Sequence, residues 1–367
     1  MATAALWTPR ATAKLVFTNS AVFIHTCANL FCQFLAFLLL PFSAAAFHDS
    51  LAYILRLWVH LVAGLIQCFA PSDFVLTVDS SCDERMVQRN KQGDATGITF
   101  PKRILVTSNH QIYADWLYIW LVAFAANAHG SMKIILKHSL KYLPVFGLSM
   151  TIVDFIFLKR KLAVDKETIV NNLERSKRHK IPTWLLLFPE GTVISESTRE
   201  RSKAFAKKND MNDNRFTLLP RSTGLKLILE TLGDDPEWMY DFTIGYQGVK
   251  ATDIPEKVYT IRSIFSLGVF PKKIHVYIRR FRIPDLPLHD EKAFANWLFD
   301  RWAEKDEMLA HYYDKGQFPD GRDRLQLPIR LKNPIRDIGM MYVLLLPYIP
   351  FCLLAYKLYN MLFCSAS

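Results

Sequence analysis

The stretch that decides the fold is Ile104-Leu105-Val106-Thr107-Ser108-Asn109-His110-Gln111-Ile112-Tyr113-Ala114-Asp115, followed by a mostly apolar run as far as residue 126. Its first four residues are apolar or β-branched, which predicts a short buried strand. Residues 115–126 predict an apolar helix. His110 therefore follows a strand and precedes a helix, at the kind of strand end where α/β proteins place their sites.

A second motif, Phe188-Pro189-Glu190-Gly191-Thr192, ends another apolar run about eighty residues later. Between and beyond the two motifs, strand-like and helix-like segments alternate, which predicts an α/β layered domain, a mixed sheet flanked by helices, over residues 76–315. Further strands are predicted at 154–158, 184–188, 216–219, 241–246 and 274–281. Helices are predicted at 165–179, 224–231 and 291–313, and polar loops at 79–99 and 197–215.

Both ends of the chain are apolar. Residues 15–47 contain no Asp, Glu, Lys or Arg, and a second apolar run at 51–70 is interrupted by Arg56 and His60. These runs predict a helical membrane hairpin within residues 1–75, long enough to cross a hydrocarbon core of ~30 Å. A hairpin that enters only one leaflet is an equal alternative, because a charge such as Arg56 is costly in mid-bilayer.

A third apolar segment lies at 338–356, within a predicted C-terminal membrane region at 316–367. Pro347 and Pro350 argue against one straight helix, so a kinked span and a re-entrant helical pair both stay open. Arg10 and Lys14 precede the first hairpin helix. Because positive charge favours the cytoplasmic side, the domain that follows the hairpin is expected in the cytoplasm.

The chain is basic, with a formal net charge of +11 and a pI near 9.3. Such a charge suits an anionic partner: acidic lipid, acyl-CoA or nucleic acid. No nucleic-acid-binding motif accompanies it, so we expect a lipid bilayer and no nucleic acid as partner. Six cysteines form no C-x-x-C pair or Cys/His metal spacing, and no P-loop or dinucleotide fingerprint occurs. We therefore expect no metal and no bound cofactor.

His110 is the candidate general base. A neutral imidazole can remove the proton of a hydroxyl group as its oxygen attacks a thioester. Asp115 would hold the ring in the required tautomer and stabilise the imidazolium. The two residues can meet only if His110 lies just before the helix begins, where Ser108 and Asn109 are suitable cap residues. The sequence contains no G-x-S-x-G motif, which favours direct transfer without an acyl-enzyme.

Four motifs together resemble those of the glycerolipid acyltransferase family, also called the PlsC or lysophosphatidic acid acyltransferase family. They are the NHxxxxD motif at 109–115, a strand ending in Arg160, the FPEGT motif at 188–192, and Leu219-Pro220-Arg221-Ser222-Thr223-Gly224. The resemblance runs from about residue 102 to about residue 313. The stretches at 137–141, 201–206 and 220–224 are most similar to the subgroup that holds lysocardiolipin acyltransferase-like and fungal lysophosphatidylinositol acyltransferase-like enzymes.

The resemblance implies an acyl-CoA:lysophospholipid acyltransferase that acts in phospholipid synthesis and acyl-chain remodelling. It implies that Glu190, Gly191 and Thr192 bind the acceptor lipid. Because a glutamate would repel an anionic phosphate, we expect Glu190 to accept hydrogen bonds from acceptor hydroxyls or to orient an arginine. Arg160 is expected to bind the acceptor phosphate, and Arg221 is a second candidate, because a guanidinium can grip a phosphate with two hydrogen bonds. Acyl-CoA is expected as a substrate, with no other cofactor.

We expect an integral membrane protein of the endoplasmic reticulum with its catalytic domain facing the cytoplasm. The acceptor stays open among lysophosphatidylinositol, lysocardiolipin and lysophosphatidic acid, which all carry phosphate. Two other functions stay open as well. One is a lipid hydrolase that uses His110 and Asp115 to activate water, and the other is a non-catalytic membrane scaffold, which would tolerate a broken His/Asp pair.

Overall fold

The computed structural model describes residues 8–159 and 161–361. Its strands are β1 Asp73–Val78, β2 Val87–Arg89, β3 Ala95–Ile98, β4 Arg103–Ser108, β5 Met132–Lys137, β6 Ile156–Leu158, β7 Thr183–Leu187, β8 Trp238–Tyr246, β9 Lys273–Arg282 and β10 Asp323–Pro328. Its helices are α1 Pro9–Ala36, α2 Ala44–Phe69, α3 Asp115–Ala125, α4 Phe146–Ile152, α5 Leu162–Arg178, α6 Glu196–Lys208, α7 Ser222–Leu232, α8 Pro255–Val258, α9 Glu291–Lys315, α10 Pro334–Val343 and α11 Tyr348–Tyr359.

Eight of the strands form one sheet in the order β10-β1-β9-β8-β4-β7-β5-β6, and β2 and β3 form a separate hairpin. Strands β4 to β8 all run parallel, whereas β9 is antiparallel to β8 and β10 is antiparallel to β1. The predicted mixed α/β sheet is therefore confirmed. Because β4 to β8 are parallel, their carboxyl ends lie along one edge of the sheet, and the two sequence motifs follow β4 and β7 at that edge.

Successive side chains of β4 point to opposite faces of the sheet, and the core accordingly has two layers. Ile104 and Val106 point into one cluster, which they share with side chains of α2 and α3. Leu105 points to the other face and packs with residues of α5, α7 and α9, among them Trp302. This period-two burial is what a strand covered by helices on both faces requires. The helices on the two faces hold the strand ends in fixed positions.

Four predicted segments differ from the structure. Residues 196–208, within the predicted polar loop 197–215, form helix α6, which begins with a capping box between Ser195 and Thr198. The predicted loop at 79–99 contains the β2–β3 hairpin. Residues 216–219 form no strand, because Asp306 accepts the backbone N–H groups of Phe216 and Thr217 instead of a neighbouring strand. Strand β6 begins at 156 rather than 154, since Asp154 has a positive φ of 64°.

The terminal segments pack on the domain. Two helices are long and apolar enough to cross a membrane by length and composition, at Pro9–Leu39 and Ala44–Phe69. The apolar segment 338–356 is divided between α10 and α11, of 10 and 12 residues. At 1.5 Å per residue these helices are roughly 15 and 18 Å long, too short to cross ~30 Å alone. The sheet also includes β1 at 73–78 and β10 at 323–328, so it draws on residues from both predicted terminal regions.

Candidate active site

The loop that follows β4 is fixed to the neighbouring strand β8. The side chain of Asn109 donates a hydrogen bond to the carbonyl of Ile244 (3.0 Å) and accepts one from its N–H (2.8 Å). The prediction that Ser108 and Asn109 cap the helix is wrong. Helix α3 begins only at Asp115, with Ala114 at the cap position. The residues between strand and helix are thus left free to form a loop, and His110 lies in it.

The structure brings His110 and Asp115 together. Nδ1 of His110 lies 2.7 Å from Oδ2 of Asp115, whose side chain is fully buried. Because a carboxylate only accepts hydrogen bonds, Nδ1 carries the proton and Nε2 has its lone pair free. The ring of Phe188 stacks on the imidazole, with 4.2 Å between centroids and 20° between planes. The imidazole is therefore held in one tautomer and one orientation, and 16% of the side chain is exposed.

Asp115 is itself held from two further directions. The N–H of Ile112 donates to Oδ2 (3.0 Å), and the buried hydroxyl of Tyr246 donates to Oδ1. Sequence reasoning missed Tyr246, because 131 residues separate it from Asp115. It stands at the end of β8, beside β4, so the parallel pairing of the two strands is what brings it to the pair.

Glu190 lies buried beneath the same loop. Its carboxylate accepts hydrogen bonds from the N–H of His110 (3.2 Å), the N–H of Leu218 (3.2 Å) and the indole N–H of Trp302 (3.1 Å). Burial raises the pKa of Glu190 to about 8, although the three donors oppose this shift. The side chain therefore links the loop that contains His110 to helix α9. Direct contact between Glu190 and an acceptor lipid stays a prediction.

Gly191 and Arg221 lie side by side at the end of β7. Gly191 has a φ of +74°, a conformation that favours glycine, and a Cβ atom built there would lie 3.8 Å from Nε of Arg221. The N–H of Arg221 donates to the carbonyl of Pro189 (2.9 Å), and its side chain is exposed. Thr192 is half-buried beside them. The FPEGT and proline motifs thus meet at one point of the sheet edge.

Arg160, the other predicted phosphate ligand, lies outside the described residues. The end of β6, which precedes it, is three strands away from β4 in the sheet. With neighbouring strands about 4.8 Å apart, that distance is roughly 14 Å. A ligand that contacts both the end of β6 and His110 would therefore have to extend along the carboxyl edge of the sheet.

A buried ion network lies under the site. Asp241 on β8 pairs with Nζ of Lys305 (2.7 Å) and with Nε of Arg279 (2.9 Å), and it accepts a hydrogen bond from Thr107 (2.8 Å). Burial lowers the pKa of Lys305 to about 8. Sequence reasoning missed this network too. One feature of the sequence could have indicated a buried charge: Lys305 follows Trp302 by three residues and so lies on the apolar face of α9.

Two cavities lie near the carboxyl edge. One, of about 340 Å³, begins at Gln111 and is bordered by α6 and residues 251–255. The other, of about 730 Å³, lies beside β6 and the turn of the N-terminal hairpin. Its walls combine apolar side chains such as Phe37 and Phe47 with the cationic Lys141 and Arg175.

Comparison with known proteins identifies the family. Residues 88–244 match the family model described as Acyltransferase, and residues 265–342 match that described as Acyltransferase C-terminus. The chain is 34% identical to the 2-acyl-1-lysophosphatidylinositol acyltransferase of Saccharomyces cerevisiae, over 84% of this chain and 86% of that protein. It is 35% identical to the uncharacterized acyltransferase YDR018C of the same yeast, over 76% and 75% of the two chains.

A more distant relative is the lysocardiolipin acyltransferase 1 of Danio rerio, 34% identical over 58% of this chain and 53% of that protein. The region that matches the Acyltransferase model, 88–244, contains both sequence motifs, including His110 and Asp115, and the strands β4 and β7 that precede them. This chain therefore belongs to the PlsC-type acyltransferase family, and it is an acyltransferase of phospholipid synthesis and remodelling.

Proposed function

We propose that this protein transfers a fatty acyl chain from acyl-CoA to the free hydroxyl of a lysophospholipid. The observation that carries the proposal is the His110–Asp115 pair, at 2.7 Å, on the carboxyl edge of the sheet. The names of its relatives, which specify lysophosphatidylinositol and lysocardiolipin, support a phosphate-bearing lysolipid as acceptor. The basic charge of +11 supports two anionic substrates.

The reaction needs one proton to move twice. Nε2 of His110 removes the proton of the acceptor hydroxyl while its oxygen forms a bond to the thioester carbon. The carbon–sulfur bond then breaks, and the imidazolium returns the proton to the departing CoA sulfur. Asp115 stabilises the imidazolium between these steps through its bond to Nδ1. Because the general base activates the acceptor directly, both substrates bind at once and no acyl-enzyme forms.

We assign Arg221 and the turn around Gly191 and Thr192 to the acceptor phosphate. The exposed guanidinium of Arg221 lies next to Gly191, which has no side chain that could block a ligand from reaching it, and this supports the assignment. Arg160, at the far end of the same edge, is our second candidate for a phosphate contact. In steady-state kinetics, the substitution Arg221→Gln should raise the KM for the acceptor and leave the KM for acyl-CoA unchanged.

The decisive experiment measures transfer with purified protein, a panel of lysophospholipids and acyl-CoA, with products identified by mass spectrometry. His110→Ala should lower turnover by about 10²–10⁴-fold, as expected when a general base is lost. His289→Ala, which changes an exposed histidine of the same domain, is the matched control. A non-catalytic scaffold predicts no turnover in the wild type. A hydrolase predicts release of free fatty acid when no acceptor is present.

We further propose that the N-terminal hairpin enters one leaflet and does not cross the bilayer. Helix α2, about 39 Å long, contacts the catalytic domain near its start and the segment that follows β10 near its end. His48 lies 5.6 Å from His179 between ring centroids, and Gln67 accepts a hydrogen bond from the N–H of Leu331 (2.9 Å). The charge of Arg56 is turned to the domain, where it donates to the carbonyl of Asn127 (3.3 Å).

Helix α1 supports the same placement. Its buried face is polar and includes Thr18, His25, Asn29 and Gln33. Its exposed face is apolar and continues into exposed side chains of the hairpin turn, α10 and α11: Val16, Phe17, Phe23, Ile24, Phe34, Leu35, Leu38, Phe42, Ile338, Ile349, Leu353 and Leu354. A polar interior with an apolar exterior suits contact with lipid. We place this face in the cytoplasmic leaflet of the endoplasmic reticulum, where acyl-CoA is accessible.

A further inference from the structure

The smaller cavity, of about 340 Å³, lies directly beside the catalytic histidine. It begins at Gln111, the next residue in the chain, and Ile194 on its wall donates a backbone hydrogen bond to the carbonyl of His110 (3.3 Å). One face of α6 forms another wall, with Glu196, Arg199, Glu200 and Lys203 at helical spacing. Of the residues in the four sequence motifs, Gln111 alone is among the described residues that line this cavity.

Three cationic side chains line this cavity: Arg199, Lys203 and Arg215. Within residues 8–159 and 161–361, none of the three has a carboxylate oxygen within 4.0 Å of its charged nitrogens. The guanidinium of Arg199 is engaged with the carbonyls of Asn214 and Arg215, so it shapes the wall. Lys203 is exposed, and the guanidinium of Arg215 lies 4.8 Å from the Phe216 ring centroid. These two cations are available to an anionic ligand.

Hydrogen-bond acceptors line the same space. Glu200 and Asp253 are exposed at the cavity, and Glu196 pairs with Lys257 at its rim. Carboxylates next to cations disfavour a ligand with several phosphates, because each further negative charge meets like charge. They suit hydroxyl groups, which donate hydrogen bonds to carboxylate oxygens. The lining therefore fits one phosphate together with several hydroxyls.

The position of the cavity separates the two substrates. The reacting hydroxyl of a lysophospholipid is only a few covalent bonds from its phosphodiester, so the head group must lie close to His110. The phosphates of acyl-CoA are separated from the thioester by the long pantetheine arm. Cations in a cavity that begins at Gln111, the residue after the catalytic histidine, therefore match the acceptor better than the donor.

We propose that this cavity binds the polar head group of the acceptor, a single phosphodiester that carries a hydroxyl-rich group such as a polyol. Lys203 and Arg215 contact the phosphate in addition to Arg221, and Glu200 and Asp253 accept hydrogen bonds from the hydroxyls. The proposal rests on the proposed acceptor class. It adds that the protein distinguishes lysophospholipids by their head groups, with residues of α6 and of the turn 251–255.

Binding of chain-free probes tests the cavity independently of catalysis. Glycerophosphoinositol, glycerol 3-phosphate and CoA are titrated calorimetrically into the full-length protein in detergent. Glycerophosphoinositol should bind more tightly than glycerol 3-phosphate, and Lys203→Gln and Arg215→Gln should each weaken it about tenfold, the usual scale of one charge-assisted hydrogen bond. Lys208→Gln removes an equal charge from α6 outside the cavity and should have no effect. Equal binding by the three variants, or an effect confined to CoA, would overturn the proposal.

Kinetics then separates the phosphate from the hydroxyls. Asp253→Asn should raise the KM for lysophosphatidylinositol several-fold and leave the KM for lysophosphatidic acid and acyl-CoA unchanged. An equal rise for both lysolipids would contradict the polyol assignment. If the wild type binds glycerophosphoinositol as described but transfers no acyl chain, the cavity stands and the proposed function fails.

Discussion

The contact between His110 and Asp115 was predictable from sequence because the NHxxxxD motif places both within seven residues between a strand and a helix. The partners that hold the pair were not predictable in this way. Tyr246, Trp302 and Leu218 come from distant parts of the chain, and only the pairing of β8 with β4 and the packing of α9 bring them together. The motif therefore identifies the candidate base, whereas the fold determines the orientation of its side chain.

Tyr246 provides a test of that orientation. Tyr246→Phe removes one of the hydrogen bonds to Asp115, leaving Oδ1 without that donor. We expect kcat to fall about tenfold, the scale of one hydrogen bond to a buried charge, with both KM values unchanged. Tyr259→Phe is the matched control, because its hydroxyl donates to the carbonyl of Gln247 and the ring lies next to Tyr246. Equal loss of kcat in the two variants would contradict a specific role of Tyr246.

Glu190 predicts a pH dependence of stability. Its pKa is about 8 in the folded protein and 4.5 in an unperturbed chain, so the folded state holds one more proton between these values. Stability must then decrease as pH rises from about 4.5 to about 8. Glu190→Gln cannot titrate, and we expect its thermal midpoint in detergent to decline less than that of the wild type between pH 5 and pH 8. Glu291→Gln, at an exposed position, should keep the wild-type slope.

Among the elements, the central strands of the sheet and the long helices were predictable from sequence, and several strands towards the two edges of the sheet were not. The apolar runs at 104–107 and 184–188 became β4 and β7, and the periodic apolar positions of 291–313 became α9. In contrast, β1 and β10 lie beyond the motif region, and β5 lies in a stretch for which no strand was predicted. Helix α6 was missed because its sequence is polar on most sides, and only Thr198, Ser202 and Ala206 are buried.

Side chains of helix α9 contact the residues around the site, among them Trp302 with Glu190 and Lys305 with Asp241. Replacing Lys305 tests how much this buried ion network stabilises the fold. Lys305→Met removes a fully buried charge from Asp241 and a hydrogen bond from the carbonyl of Phe242. Loss of one partner of a buried ion pair typically costs about 3–5 kcal/mol. We expect a clear decrease in the free energy of unfolding. Lys292→Met, at an exposed position of the same helix, should leave it unchanged, and equal values for the two variants would rule out a stabilising network.

At the scale of the whole molecule, the run 15–47 without Asp, Glu, Lys or Arg predicted contact with a membrane, but it left open whether the hairpin spans the bilayer. Hydropathy alone reports which residues avoid water. It does not report whether a domain packs along a helix, as it does along α2. The contacts of His48 with His179 and of Gln67 with Leu331, just after β10 of the sheet, supply the missing information, and they favour insertion into one leaflet.

Membrane fractionation tests this placement. We expect the protein to stay in the membrane pellet after high-salt and carbonate washing. The Debye length is only ~3 Å in 1 M salt, so interactions between charges are screened, whereas the burial of apolar side chains is not weakened. Protease added to intact microsomes should cut at the exposed residues 207–210, at the end of α6. A hairpin in one leaflet also predicts that a tag placed at the turn near Phe42 cannot be labelled from the lumen. Labelling there would show a spanning hairpin, and protection of 207–210 would show a lumenal domain.

The order of strands in the sheet has a consequence for biosynthesis. The first strand to be translated, β1, pairs with the last two, β9 and β10, and 195 residues separate Val78 from Lys273. At typical rates of ~5–20 residues per second, β1 waits roughly 10–40 s for its neighbours. During that interval its unpaired backbone edge and its apolar side chains are exposed next to the hairpin that has already been made. A nascent chain therefore needs either the bilayer or a chaperone to protect β1, and a polypeptide that stops before β9 leaves the ribosome with an incomplete sheet.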